Sequence, residues 1–288
     1  MCGVSERPSR VLVMGATGML GHVAVEMLAE TFEVVGSVRD VDAAQRYGLP
    51  AQLVAFTIGD DLDELLGRVR PDAVLNAIGL VKQLPAGQSP QTAIRINALF
   101  PHELAAACAA VGARLVHIST DCVFSGRLPA PGRYAEDDVT DACDVYGRSK
   151  LLGEVLEPPG LTLRTSFIGH ELERTSGLLE WLVSQGGEQV FGFTNARFSG
   201  FTTRELCRLL VHVLGERPDI SGLWHVAADP IDKYDLLLRL RDVLALSCDV
   251  VPRDEPVINR VLDSTRFAAA TGYRAPSWEQ MLDEYRPR

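Results

Sequence analysis

The sequence lacks any excess of basic residues. Lys and Arg number 28 against 38 Asp and Glu, for a formal net charge of -10. A chain of that sign, with no basic run, is a poor match for nucleic acid or an anionic membrane surface. A local basic pocket around a phosphorylated small molecule is still compatible with it. Paired cysteines are missing too: Cys2, Cys108, Cys122, Cys143, Cys207 and Cys248 are scattered without a C-x-x-C. That argues against a zinc site or a disulfide framework. The six histidines show no ligand spacing, so no metal is expected. The apolar run in "MCGVSERPSRVLVMG" is too short for a signal peptide or a membrane span. A reducing, cytoplasmic setting is therefore expected. Repeats and low-complexity blocks are also absent.

What the chain does have is core-forming material. Its 288 residues are 47% hydrophobic and 23% charged, enough for one large α/β domain or one domain with a smaller appendage. Short apolar runs alternate with helical patterns in the first half. "RVLVMG", "EVVGSVR", "LVAFT", "DAVLNAIG", "ARLVHIST" and "LTLRTSFI" read as strands. "GHVAVEMLAETF", "DDLDELLGRV", "PQTAIRINALFPHELAAACAAVG" and "YGRSKLLGEVLE" read as the helices between them. Strands apolar throughout and separated by helices predict a parallel sheet covered on both faces, doubly wound in the Rossmann manner. Pro and Gly thicken after Gly169. The expected division is a dinucleotide-binding domain over 9–169 and a smaller mixed substrate-binding region over 170–288, with return segments to the sheet allowed. In that second region "GLWHVAA" reads as a strand, and "KYDLLLRLRDVLAL" and "SWEQMLDEY" read as helices.

Gly15, Gly18 and Gly21, with Thr17, Met19 and Leu20 among them, lie between the first strand and the first helix. A turn leaving a strand needs φ freedom, and a backbone approaching a pyrophosphate has no room for side chains. The following helix offers free N–H groups and a positive dipole end. The spacing is one position off the usual G-x-G-x-x-G, though its strand–turn–helix setting is right. A tight turn that binds nothing is the alternative. At the end of the second strand, Arg39 stands where an acid would grip an adenine ribose. A guanidinium there fits a 2′-phosphate and favours NADPH, while the neighbouring Asp40 keeps NADH open.

Tyr146 and Lys150 share a helix face at i, i+4. Alone, such a pair is as readily a solvated surface. Ser119, Thr120 and Asp121 fall at the C-terminal end of the fifth strand, the edge where doubly wound sheets bind ligands. The ordered series Gly15-x-x-Gly18-x-x-Gly21, "NAIG" at Asn76 to Gly79, "INA" around Asn97, "STD" at Ser119 to Asp121, and Tyr146-x-x-x-Lys150 resembles the extended short-chain dehydrogenase/reductases. Within them, "HISTDCVFSG", "YGRSKLLGE" and "LRTSFIG" are most similar to the dTDP-4-dehydrorhamnose reductase family. The likeness is strong over roughly residues 10–170 and weak beyond.

The resemblance implies a mechanism. Tyr146 would donate the proton, Lys150 would bind the nicotinamide ribose and lower the phenol pKa, and Thr120 would bond the substrate oxygen. Asn97 would support the lysine. Ser119, Asn76, Ala77 and Gly79 would line the cofactor. The implied reaction is NADPH-dependent reduction of a nucleotide-linked 4-keto-6-deoxy sugar. The expected partners are that sugar and at most a second copy of the chain.

Departures from the family pattern bear on the sugar. Cys122 stands where these reductases usually carry an aromatic, and where sugar-nucleotide dehydratases carry a base. Phe167 replaces a usual Trp, and "NAIGLVKQ" brings Lys82 within reach of the substrate or simply into solvent. Asp121, Cys122, Phe167, Lys82, Arg197 and Arg260 are the candidate substrate residues; for Asp121 turn capping is the competing role. His117, inside an apolar strand, is expected to be a packed core residue. Two other readings are kept. One is a non-catalytic regulatory subunit like the methionine adenosyltransferase beta subunit. The other is an epimerase or dehydratase.

Overall fold

The protein is seen in a computed structural model that describes residues 8–81, 89–158, 160–173 and 175–287. Six strands follow in chain order: β1 (Arg10–Met14), β2 (Glu33–Val38), β3 (Gln52–Ala55), β4 (Ala73–Asn76), β5 (Arg114–Ile118) and β6 (Gly160–Arg164). They form a parallel sheet in the order β6-β5-β4-β1-β2-β3. A seventh strand, Gly222–His225, pairs parallel to β6 at the outer edge. The segment "GLWHVAA" is thus a strand, but one that returns to the central sheet.

Alternation along β1 shows why both faces are covered. Val11 and Val13 face one apolar cluster, with the helices Gly21–Leu28 and Thr203–Glu216. Leu12 and Met14 face the other, with Leu62–Val69 and Phe100–Val111. Every side chain from Val11 to Met14 is fully buried. At roughly 25 cal/mol per Å² of apolar surface, such strands contribute heavily to stability and leave no polar face.

Several elements differ from the sequence expectation. "LTLRTSFI" divides at Thr165 into β6 and a two-residue strand, Phe167–Ile168, which pairs with Phe201–Thr202. The long helix is Pro90–Ala93 and Phe100–Val111 joined by a π-type segment, Ile94–Leu99, which carries Asn97. Such wide turns recur at functional sites. The 14-residue helix Thr203–Glu216 went unread. Thr202 caps it by accepting from the Glu205 N–H, and its buried row Leu206, Leu209, Leu210, Val213, Leu214 follows helical spacing.

The chain leaves β1 toward β2 on one side of the sheet, while β4 lies on β1's other side, with Met14 opposite Asn76. At such a reversal, outside the carboxyl ends of the strands, doubly wound sheets bind their ligands. Among the described residues no helix is long and apolar enough to cross a membrane.

Candidate active site

The glycine turn follows the carboxyl end of β1, at that reversal. Gly15 has φ of 83°, a region that disfavours side chains. Its N–H donates to Ser37 Oγ at 3.2 Å, and Ala16 N–H to the Ser37 carbonyl at 2.9 Å. A Cβ at Gly21 would collide with the Gly15 carbonyl oxygen, so the first helix lies directly on the turn. Gly18 is exposed, Thr17 and Met19 are half-buried, and Leu20 is buried in the core. Any contact from Leu20 to a ligand therefore comes through its backbone.

Arg39 ends β2 with its side chain 72% exposed, 3.9 Å from Glu173. Asp40 is committed elsewhere: its carboxylate accepts from Ala43 N–H at 3.0 Å and caps the next helix. Of the two neighbours, the guanidinium is the one open to a ligand. Ala77 lies close to the turn, its carbonyl carbon 3.5 Å from where a Gly15 Cβ would stand, and Gly79 is exposed. These features fit a dinucleotide: a bare backbone turn, a helix start above it, and a cation where a 2′-phosphate would lie.

Thr120 and Tyr146 meet at the end of β5. Thr120 Oγ1 accepts from Cys122 N–H at 3.1 Å, donates to Asp121 Oδ1 at 3.3 Å, and is hydrogen-bonded to the Tyr146 hydroxyl. The helix Val145–Leu152 is started by Asp144, which accepts from Gly147 N–H at 2.8 Å. The small residues between Tyr146 and Lys150 are explained by packing. A Cβ at Gly147 would run into the Cys122 carbonyl oxygen, and Ser149 Oγ accepts from Asn97 Nδ2 at 3.1 Å.

Tyr146 and Lys150 do share a helix face, but no hydrogen bond joins them in the described structure. Lys150 Nζ donates to the Ile118 carbonyl at 2.7 Å and lies 3.4 Å from His117 Nε2. The expected acidification of the phenol is overturned. Tyr146 is pushed well above the ordinary phenol range, first by burial of its hydroxyl and then by neighbouring Cys122, whose thiolate form would repel a phenolate, with the Thr120 hydrogen bond opposing. Burial lowers Lys150 to about 8, with the Glu154 charge partly offsetting it. Asp121 is buried and raised, chiefly by burial, with Arg260 pulling the other way.

Asn97 does not touch the lysine. Its side chain pairs with Leu80, accepting from the N–H at 2.8 Å and donating to the carbonyl at 3.0 Å, so it ties the "NAIG" loop to the Tyr146 helix. Ser119 turns inward, donating to Glu154 Oε1 at 2.7 Å. Asn76 is fully buried, its amide shared between Ile78 N–H and His117. For Ser119 and Asn76, the side chains support the site from behind.

Among the substrate candidates, Asp121 and Cys122 stand with Thr120 at the strand end. Arg260 donates to the Phe124 carbonyl at 2.9 Å and the Ser125 carbonyl at 3.3 Å, which holds the loop after β5 in place. Arg197 lines a separate cavity with Asp229, Asp232, Arg239 and Trp278, which includes none of the β5-end residues. Phe167 is half-buried against the main core. Lys82 lies outside the described residues. Sequence reasoning missed the buried pair Glu154–Arg164 beneath Ser119, with Nε to Oε1 at 2.7 Å and both side chains 4% exposed. Two charges inside otherwise apolar segments were the available signal.

A family model described as the RmlD substrate binding domain matches residues 9–286. The chain belongs to this family. A probable low-salt glycan biosynthesis reductase of Haloferax volcanii is 31% identical over 226 residues, 75% of this chain and 73% of that one. The dTDP-4-dehydrorhamnose reductase of Salmonella typhimurium is 27% identical over 93% of this chain and 94% of its own. Among solved structures, a dTDP-4-dehydrorhamnose reductase from Bacillus anthracis in complex with NADP superposes with a TM-score of 0.78 at 20% identity, covering 96% of this chain and 98% of that one. Membership extends through the C-terminal region, where the sequence likeness had been weak. The fold expectation of a doubly wound sheet with a smaller mixed region stands.

Proposed function

We propose that this chain is a cytoplasmic reductase that uses NADPH, with NADH as a second donor, on a nucleotide-linked 4-keto-6-deoxy sugar. The observation that carries the reading is the Thr120–Tyr146 hydrogen bond at the carboxyl edge of β5, in the same parallel sheet as the glycine turn that follows β1. Relatives named as dTDP-sugar reductases support the substrate class. No disulfide joins the described cysteines, which fits a reducing compartment.

The turn Gly15–Gly21 and Arg39 would hold the dinucleotide, which supplies the hydride. This chain's residues handle the oxygen that gains electrons. Burial keeps the Tyr146 phenol protonated at neutral pH, so it is a stored proton donor. Thr120 fixes the hydroxyl's direction, and its single O–H, donated to Asp121 here, would turn from that carboxylate to give the substrate oxygen a second donor. Lys150, one helical turn on, places a titratable amine behind both. Asp121 and Cys122 border the space where the sugar would sit.

The test is loss of nicotinamide absorbance when the protein meets NADPH and dTDP-4-keto-6-deoxyglucose, with and without a 3,5-epimerase. Tyr146→Phe should lower turnover by about 10²-fold or more while cofactor binding persists. Ketosugar reduction at full rate in that variant would refute the assignment. For assembly, the exposed Leu99 and Leu152 on adjoining helices are the surface a homodimer would cover, and sedimentation decides it.

A further inference from the structure

His117 was expected to be inert packing, yet it joins two residues of the site. It lies in the middle of the sheet, opposite Asn76 on β4 and Thr162 on β6, and is completely buried. Each ring nitrogen faces one polar neighbour. Nδ1 is 3.1 Å from Asn76 Nδ2, and Nε2 is 3.4 Å from Lys150 Nζ.

The hydrogen positions follow from a backbone group whose role is fixed. Ile78 N–H can only donate, and it donates to Asn76 Oδ1 at 3.1 Å. The Asn76 amide therefore presents its NH₂ to His117, and Nδ1 must be the acceptor. A neutral imidazole has one N–H, so that hydrogen is on Nε2, aimed at the lysine amine. An ammonium has three donors and no acceptor, whereas a neutral amine has a lone pair. One lysine N–H is taken up by the Ile118 carbonyl at 2.7 Å. The chain of bonds from Ile78 through Asn76 and His117 closes only on an uncharged Lys150.

We propose that His117 is a positioning residue for Lys150, holding its amine against the Ile118 carbonyl and opposing its charged form by an N–H directed at it. The charged and titratable groups around the pair are few. Glu154 favours the charged lysine, Lys150 and His102 both oppose charge on His117, and Tyr146 shares the lysine's helix. Thr162, on the strand opposite, has its hydroxyl tied to Val155 at 2.7 Å and leaves the imidazole alone. The same network explains Asn76, whose buried side chain sets the tautomer from behind. Burial brings Lys150 near the working pH, the His117 N–H would add to that lowering, and the amine's surroundings are tied to the "NAIG" turn through Asn76 and Ile78.

The proposal rests on Lys150 belonging to the site, but its test does not depend on the substrate. Nitrogen-15 NMR of histidine- and lysine-labelled protein without ligand reads both groups directly. At neutral pH His117 should show a bare Nδ1 and a protonated Nε2; a protonated Nδ1 or an imidazolium overturns the proposal. In His117→Phe the Lys150 amine should titrate about one unit higher, because the opposing N–H is gone. The added apolar ring by itself would shift it the other way, so an unchanged or lower value overturns the proposal. In His117→Gln, whose amide N–H can take the Nε2 place, the titration should return toward the parent value. If the Phe variant does not fold, the tautomer in the parent protein still decides. The alkaline limb of kcat/KM should move with the NMR value.

Discussion

Removing Glu154 while keeping Arg164 should unfold the protein many degrees early. The guanidinium makes two charge-assisted bonds to the carboxylate, Nε–Oε1 at 2.7 Å and Nη2–Oε2 at 2.8 Å. It also meets His225 Nε2 at 3.2 Å and lies over the Phe124 ring at 5.3 Å. Both charged side chains are 4% exposed, so water cannot replace a lost partner. Stranding one ion of a buried pair costs about 3–5 kcal/mol, against a total stability of roughly 5–15 kcal/mol. At about 2–4 °C per kcal/mol for chains near this size, Tm should fall by about 6–20 °C in Glu154→Ala. Replacing both partners with Met should recover most of that loss, since apolar substitutes for a whole buried pair are often neutral. The coupling in the double-mutant cycle should then be about 2–4 kcal/mol. Turnover should not recover in parallel, because Ser119 Oγ still lacks its acceptor at 2.7 Å and Thr120 is the next residue. Scanning calorimetry and urea titration of the four proteins provide the check. A Glu154→Ala Tm within about 2 °C of the parent, or strictly additive losses, would refute the reasoning.

Arg39→Ser should weaken NADPH binding by about 10-fold and leave NADH nearly unchanged, as loss of a charge-assisted phosphate contact predicts. Glu173, 3.9 Å from Arg39 and 3.8 Å from Arg46, puts a competing anion there; Glu173→Gln should tighten NADPH alone by a few-fold, modest because the groups are exposed. Equal effects on both dinucleotides, read by fluorescence quenching, would contradict both statements. Stability should fall as pH drops from 6.5 to 4, because burial and the neighbouring Arg164 lower His225 from 6.5 to about 4. In that window the unfolded chain takes up a proton that the folded chain refuses. The loss approaches about 3 kcal/mol at the acid end, and urea titrations of His225→Gln should lack that component.

How much was legible depended on whether a residue's role is local. The six strands β1–β6 were read because each is a short, mostly apolar run set between helical patterns. The seventh strand was read as a strand but left outside the main sheet, since pairing Trp224 with Leu163 is a contact across 61 positions that no local pattern encodes. The helix at Thr203 was missed although its cap and leucine row were present, because proline and glycine nearby suggested irregular chain. Thr120, Tyr146 and Lys150 were singled out through motif order, and the structure brings Thr120 and Tyr146 together. Their electrostatics were not read, because burial dominates them and burial is a property of the fold. The same holds for His117: one histidine in an apolar strand reads as packing until Asn76 and Lys150 are seen on either side of it.

The raised phenol bears on which direction of chemistry the site suits. An enzyme that begins by oxidising a sugar hydroxyl needs a phenolate to accept the proton, and burial disfavours that anion at Tyr146. Negative charge at Cys122, Asp121 and Asp144 would disfavour it further. A reductase needs the opposite, a neutral phenol that remains protonated until an alkoxide-like oxygen forms beside it. Such an oxygen is at least as basic as a phenolate, so the transfer runs downhill even from a weak acid. Cys122 adds to this: where a dehydratase would place a base for carbon, a thiol bonded to Asp121 stands instead. On the proposed assignment of Tyr146, these residues weight the site toward giving a proton rather than taking one, and that asymmetry comes from burial as much as from the residues around the phenol.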